Sequence, residues 1–203
     1  MHLAADSHVD RRLFGDIAAD HRALVSSRAR YDMREPPASA GALLVIRDLV
    51  THVGFQQLAV FRCASSLHRR GLTPLAMVLC RVIRVVYSAE MHWATDVAPG
   101  ILLVHGNGIV ISRDARIGPG CVIFHNVTLG ISRSSDGHDG APKLEDGVHV
   151  GPGAVVMGPV TIGSRSKIGP NAVVVASVQP GVSVRAPQPV VSPRPASNEP
   201  VQT

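Results

Sequence analysis

The sequence predicts an α-helical N-terminal segment followed by a parallel β-solenoid wound as a three-sided prism. Three observations predict it. An aliphatic residue returns every six positions at Leu144, Val150, Val156, Ile162, Ile168 and Val174. Four positions after each stands a small or β-branched residue: Val148, Ala154, Val160, Ser166, Ala172 and Val178. The same phase holds upstream at Ile111, Ile117, Ile123 and Leu129, with Ala115, Cys121 and Val127 in the small slot. A period of six is neither the 3.6 of a helix nor the 2 of a flat strand. It fits a chain that lays down one face per repeat, with about 18 residues per coil. The aliphatic residue points inward, the small one sits where the interior narrows, and Gly151, Gly163 and Gly169 are expected to serve the corner turns. Hydrophobic residues make up 45% of the chain and aromatic ones only 3%, so the interior must be aliphatic, as a narrow column requires.

The 203 residues divide into a helical region at 1–88, a prism at 89–184 and a tail at 185–203. Leu13, Ile17, Leu24 and Val25 recur at helical spacing within Val9–Arg30. Pro36, Pro37, Ser39 and Gly41 mark a break. Ala42–Val53 and Phe55–Arg69 read as two helices around Gly54, the second closed by Arg69, Arg70 and Gly71. Leu72–Ser88 is a fourth helix whose Val-rich end could also be a strand. From Glu90 the hexad takes over. Counted back from Ile111, its eight-residue step falls between Val97 and His105, and it lapses at 130–143, a polar, Gly-rich stretch expected to protrude as a loop. Ser192–Thr203 has no periodicity and is expected to be disordered.

The formal charge of +5 suits an anionic ligand such as a phosphate-bearing cofactor. Nucleic acid is not expected, because no Lys/Arg block is interleaved with aromatics. Cys63, Cys80 and Cys121 form no CxxC pair, so they read as reduced thiols, with no metal site and no disulfide framework. Met1–Asp20 is too polar for a signal peptide, and Leu72–Tyr87 is too short and too charged to span a bilayer. A cytoplasmic protein with no membrane association is the expectation.

A prism has no cleft of its own, so a site must form between neighbouring prisms, and a threefold ring is the closed solution. His105 is the first candidate, since it stands at an aliphatic slot counted back from Ile111. A titratable ring there breaks local consistency, and such breaks concentrate at working sites; the other reading is a ring that merely caps a widened corner. His92 and His138 remain candidates. His125 is off the inward register, His149 is expected to be solvated, and His2, His8, His21, His52 and His68 are expected at the surface.

The segments His105-Gly-Asn-Gly-Ile-Val-Ile111, Cys121-Val-Ile-Phe-His-Asn-Val-Thr-Leu-Gly130 and Ala141-Pro-Lys-Leu-Glu-Asp-Gly-Val148 resemble the serine O-acetyltransferase family. That family belongs to the left-handed parallel β-helix, hexapeptide-repeat acyltransferases. The likeness runs from about Gly54 to Val178, with Gly54-Phe55, Leu58, Arg62, Gly71 and Leu75-Ala76 matching the helices before the prism. The chain is also similar to polysaccharide-biosynthesis acetyltransferases of the same superfamily. The resemblance implies acetyl-CoA as cosubstrate, His105 as general base and Glu90, fifteen residues earlier, as the carboxylate that orients it. It implies a pantetheine arm along the groove between two prisms, with close approach at Gly130, Gly151 and Gly153; Lys167 and Arg185 are candidate phosphate contacts, the other reading being ordinary exposed cations. Glu35 resembles an acidic acceptor-binding residue of the family.

Three positions depart from the family. Val104 replaces an aspartate, and Gly140 and Ala141 replace the arginine and histidine before Pro142-Lys143. These changes remove the charges expected to grip a zwitterion, and His138 and Asp139 are the residues of the loop that could restore a polar contact. The resulting expectation is an acetyl-CoA-dependent O-acetyltransferase, transferring directly to a small hydroxyl compound: serine, a serine-like molecule or another metabolite. The alternatives are a non-catalytic assembly or regulatory solenoid and a sugar O- or N-acetyltransferase. The expected assembly is a homotrimer or a dimer of trimers. The chain ends Val201-Gln-Thr203 rather than in the family's docking isoleucine, so no sulfhydrylase complex is expected.

Overall fold

The computed structural model describes residues 3–31, 41–133, 137 and 139–188. Glu35, His138 and the 192–203 tail therefore lie outside the described residues. Four helices come first: α1 (Leu3–Tyr31), α2 (Ala42–Thr51), α3 (Val53–Arg69) and α4 (Thr73–Tyr87). The α3 terminus closes as the sequence implies. Gly71 adopts φ +80°, the Gly71 N–H donates to the His68 carbonyl and the Leu72 N–H to the Leu67 carbonyl, with His68 and Arg69 in the last turn. Pro74 opens α4, and the Val-rich end of α4 is helix, not strand. Among the described residues no single helix is long and apolar enough to cross a membrane; α2 and α3 meet at a 105° bend.

The prism follows as three stacks of short parallel strands. One face stacks Glu90–Met91, Val110–Ile111, Thr128–Gly130, Val155–Met157 and Val173–Val174. The second stacks Asp96–Val97, Arg116–Ile117, Lys143–Leu144 and Thr161–Ile162. The third stacks Leu102–Val104, Val122–Phe124, His149–Val150, Lys167–Ile168 and Ser183–Val184. Upper coils pair residues eighteen apart, as Val155 with Val173. Every aliphatic slot from Ile111 to Val174 is buried, and so is every small slot from Ala115 to Ala172. Ser166 is tolerated in that interior because its hydroxyl donates to the Gln179 carbonyl and accepts from the Val182 N–H.

Two sequence expectations are corrected. The eight-residue step lies between Leu103 and Ile111, because Met91, Val97 and Leu103 pair with Ile111, Ile117 and Ile123. Leu103 is thus the inward residue, and His105 lies in the bulge made by the two extra residues. The glycines after the aliphatic slots are not there for unusual φ. A Cβ on Gly151 would stand 2.9 Å from the Pro170 nitrogen of the next coil, so close stacking of coils excludes a side chain. Within the 130–143 excursion, Ser132–Arg133 pairs antiparallel with Asp139–Gly140 as a ribbon.

A buried polar joint fixes the helices to the prism. Arg62 of α3 donates from Nε to Asp20 of α1 at 2.9 Å and from its terminal nitrogens to the Val97 and Ala98 carbonyls at 2.6 and 2.8 Å. Asp20 also accepts from the Gly100 N–H at 2.8 Å. His21, expected at the surface, is buried instead, 2.9 Å from the carboxylate of buried Asp48 in α2. These groups are satisfied only when α1, α2, α3 and the turn that follows the second strand of the first coil assume one arrangement.

Candidate active site

The third-face strand Leu102–Val104, covered by α1 and α3, runs directly into His105. Its approach is set by α3: a Cβ on Gly54 would collide with the Leu103 carbonyl oxygen, so only glycine lets the helix lie this close. One turn on, Gln57 is fully buried and its amide donates to the Gly106 carbonyl at 3.1 Å. The bulge turns sharply. His105 has φ +64°, its carbonyl accepts from the Asn107 N–H at 2.7 Å, and Gly106 and Gly108 continue at positive φ. Histidine is one of the non-glycine residues that enter this region more readily. The ring is exposed, outside the column, on the rim of a cavity of about 700 Å³ between the α2–α3 bend and the third face.

One coil above, the His125 ring meets the His105 ring edge-on, with centroids 5.7 Å apart and planes at 67°. The Nδ1 of His125 is buried with no hydrogen-bond partner in the structure. Sequence reasoning passed over His125. The offset that stacks the two rings, twenty residues, is that of Leu103 and its partner Ile123, and it shows only in the strand pairing. Phe124 beside it packs on His149, centroids 5.1 Å apart, so His149 is half-buried against a ring rather than free in solvent.

Glu90 is not brought to His105. It begins the lowest strand of the first face, and its carboxylate meets Arg84 of α4 at 3.1 Å, both side chains more than half exposed. It lines a separate cavity of about 530 Å³ with His92 and Trp93. His92 stacks on Trp93 at 3.9 Å, and burial, then Arg113, lowers its pKa. Asp139 sits on the protruding ribbon, 3.2 Å from Arg133, with both exposed.

Each expected cofactor glycine has a reason within the chain. A Cβ on Gly130 would collide with Met157, and one on Gly153, at φ +69°, with Asn171. Gly151 and Gly169 leave the outer surface above Phe124 bare of side chains, because they follow the inward Val150 and Ile168. On this same face Leu102, Val122, His149 and Lys167 stack in turn. Three strand spacings of about 4.8 Å put Lys167 roughly 14 Å above the first coil. Arg185 follows Val184 one rung higher, and both cations are exposed. The face therefore carries, from bottom to top, an exposed imidazole, the Phe124–His149 ring pair, the two glycine positions and two positive charges. That order suits a long ligand with its reactive end low and an anionic end high.

The thiols are poor nucleophiles. Burial pushes Cys121 up to about 11 and raises Cys63 and Cys80. Among the described residues no group of three or more His, Cys, Asp or Glu side chains could hold a metal ion.

Comparison with known proteins agrees with this architecture. The bacterial transferase hexapeptide (six repeats) family model matches residues 141–176. The chain is similar to the serine acetyltransferase of Helicobacter pylori, 34% identical over 149 residues, which is 73% of this chain and 85% of that protein. Among solved structures it resembles the soybean serine acetyltransferase apoenzyme, with TM-score 0.73, 32% identity, and coverage of 91% of this chain and 70% of that one. It also resembles a serine acetyltransferase in complex with CoA, with TM-score 0.70, 27% identity, and coverage of 86% and 66%. These likenesses place the column among left-handed parallel β-helices.

Proposed function

The chain belongs to the serine acetyltransferase family of acyltransferases, and from that premise we propose that it transfers the acetyl group of acetyl-CoA directly to the hydroxyl of a small molecule, with His105 as general base. The observation that carries the reading is the exposed His105 ring at the seam of helix and prism, on the rim of a cavity and at the foot of the Lys167–Arg185 face. A neutral imidazole takes the acceptor's proton as its oxygen attacks the thioester carbonyl. The tetrahedral oxyanion collapses, the C–S bond breaks, and the imidazolium returns the proton to the departing CoA sulfur. Lys167 and Arg185 attract the cofactor's phosphates. His125, edge-on to His105, limits the rotation of its ring, in place of the carboxylate, Glu90, that the resemblance implies as the orienting group.

The acting species in this reading is a homotrimer. Val110, Val173 and Val175 lie exposed on the first face, and Leu75, Val78, Val82 and Val85 along α4. An uncovered apolar surface of this kind favours self-association, and a neighbour on the first face would close the His105 corner from outside. The engagement of Glu90 by Arg84 favours a second reading, a non-catalytic assembly subunit.

Initial-rate measurements of thiol release with acetyl-CoA and hydroxyl acceptors test the proposal. Intersecting double-reciprocal lines are expected, since both substrates must be bound together. Parallel lines would indicate an acyl-enzyme and contradict direct transfer. No release with any acceptor, combined with no CoA binding, would favour the assembly subunit.

A further inference from the structure

We propose that Gln57 of α3 is a positioning residue for the base: its buried amide holds the Gly106 peptide and so fixes the direction in which His105 leaves the prism. The inference rests on the acyl-transfer reading above and adds to it a residue that touches neither substrate. The two residues added by the eight-residue step have no place in the ladder between coils. Strand pairing stops at Val104 with Phe124 and resumes at Val110 with Thr128. Peptide groups in such a bulge must find partners elsewhere. The His105 carbonyl finds the Asn107 N–H, and the Asn107 carbonyl accepts from the Asn126 N–H at 2.8 Å. The Gly106 carbonyl between them accepts from Gln57, forty-nine residues earlier in the chain.

The contact is closer than one hydrogen bond requires. Gln57 is fully buried, and a Cβ on Gly106 would collide with its Oε1, so the amide lies against the Gly106 α-carbon as well as its carbonyl. That oxygen has no hydrogen-bond partner. An apolar side chain of the same size would avoid the cost of burying it; what it could not do is hold the Gly106 carbonyl. The other buried side-chain polar atom without a partner among the described residues, His125 Nδ1, belongs to the ring that meets His105. Both unsatisfied atoms thus flank one turn. A histidine in the left-handed region persists there only when its surroundings over-determine the backbone. The far end of the turn is held from the same stretch of α3. The Gly108 N–H donates to the Tyr87 carbonyl at 3.3 Å, and the Tyr87 hydroxyl donates to Gln56 Oε1 at 2.7 Å. Consecutive glutamines therefore clamp both ends of the segment that carries the base. A displacement of about 1 Å at a reacting group can cost roughly 10²-fold in rate, so a clamp at this place governs turnover.

The test is a double-mutant cycle on the full chain, following thiol release from acetyl-CoA with the fastest of L-serine, L-homoserine and D-glucose as acceptor. Gln57→Met keeps the length and bulk of the side chain without the donor. We expect its kcat to fall at least tenfold while the KM for acetyl-CoA changes less than twofold, because the Lys167–Arg185 face is untouched. In a His105→Asn background the same substitution should change kcat less than twofold, since a turn that carries no base cannot misplace one. A fall of equal size in both backgrounds would overturn the inference, by showing that Gln57 supports the fold and not the base. An unchanged kcat in Gln57→Met alone would overturn it too. If Gln57→Met fails to fold, the cycle is run with Gln57→Asn, which keeps an amide but withdraws it by one methylene, and the same outcomes decide. Full turnover in His105→Asn, or release with none of the three acceptors, would overturn the general-base reading and the inference with it.

Discussion

The prism and the helical cap solve burial in opposite ways. Inside the prism, one aliphatic and one small residue per face repeat from coil to coil, and each coil contacts only its neighbours. Such a column could be lengthened or shortened without naming any particular residue. In the cap, Asp20, His21, Asp48, Gln57 and Arg62 are all buried, and each finds a partner in another element. A repeated apolar core gives stiffness without addressing any one position. Buried polar joints give one position, because every other arrangement strands a charge. The candidate site lies where these two designs meet. The stiff face supplies the strand leading to His105, and the keyed cap sets the wall of the cavity opposite it.

The contrast breaks most sharply at the joint. Arg62→Ala leaves the Asp20 carboxylate buried without its counter-charge, and should destabilise the protein by about 3–5 kcal/mol. Chemical denaturation should show it, with the cap lost before the prism; a single unchanged transition would mean that the joint does not hold the cap. Gly54→Ala comes next, with a cost of about 1–3 kcal/mol for overpacking against the Leu103 carbonyl. The helix must move off the strand, so kcat should fall further than stability alone predicts. An unchanged kcat would separate helix docking from the placement of His105.

The smallest effect belongs to the prism. The folded pKa of Cys121 is raised from 9.0 to about 11 by burial. Below pH 9 the thiol is neutral in both states, and its contribution to stability is fully present. Between 9 and 11 the unfolded thiol ionises first, so stability falls as pH rises. The slope is about 1.4 kcal/mol per pH unit once the unfolded thiol is ionised. Cys121→Ala should lessen the fall between pH 8 and 10.5, leaving the part contributed by the raised Cys63 and Cys80 thiols. A fall undiminished by the substitution would place its origin elsewhere.

The same contrast explains what the sequence made legible. The hexad is periodic, so the prism could be read from a few of its coils, and so could the start of the excursion after Leu129. One phase error followed from counting back through the irregular coil. Only the pairing of Leu103 with Ile123 shows that His105 occupies a bulge. The correction helps the chemistry, since a ring in the aliphatic slot would have been sealed inside. Partners set by helix docking left no local trace. His21 finds Asp48 twenty-seven residues away, and Glu90 finds Arg84 because α4 packs beside the first strand. His125 became visible as a neighbour of His105 only once the coils were stacked.

The most direct measurement compares kcat for acetyl-CoA-dependent thiol release in wild type and His105→Asn. Asparagine also accepts the left-handed backbone of the bulge, so the fold should persist. The account predicts a loss of roughly 10²–10⁴-fold with circular dichroism and CoA affinity unchanged. Equal turnover by a correctly folded His105→Asn protein would contradict it.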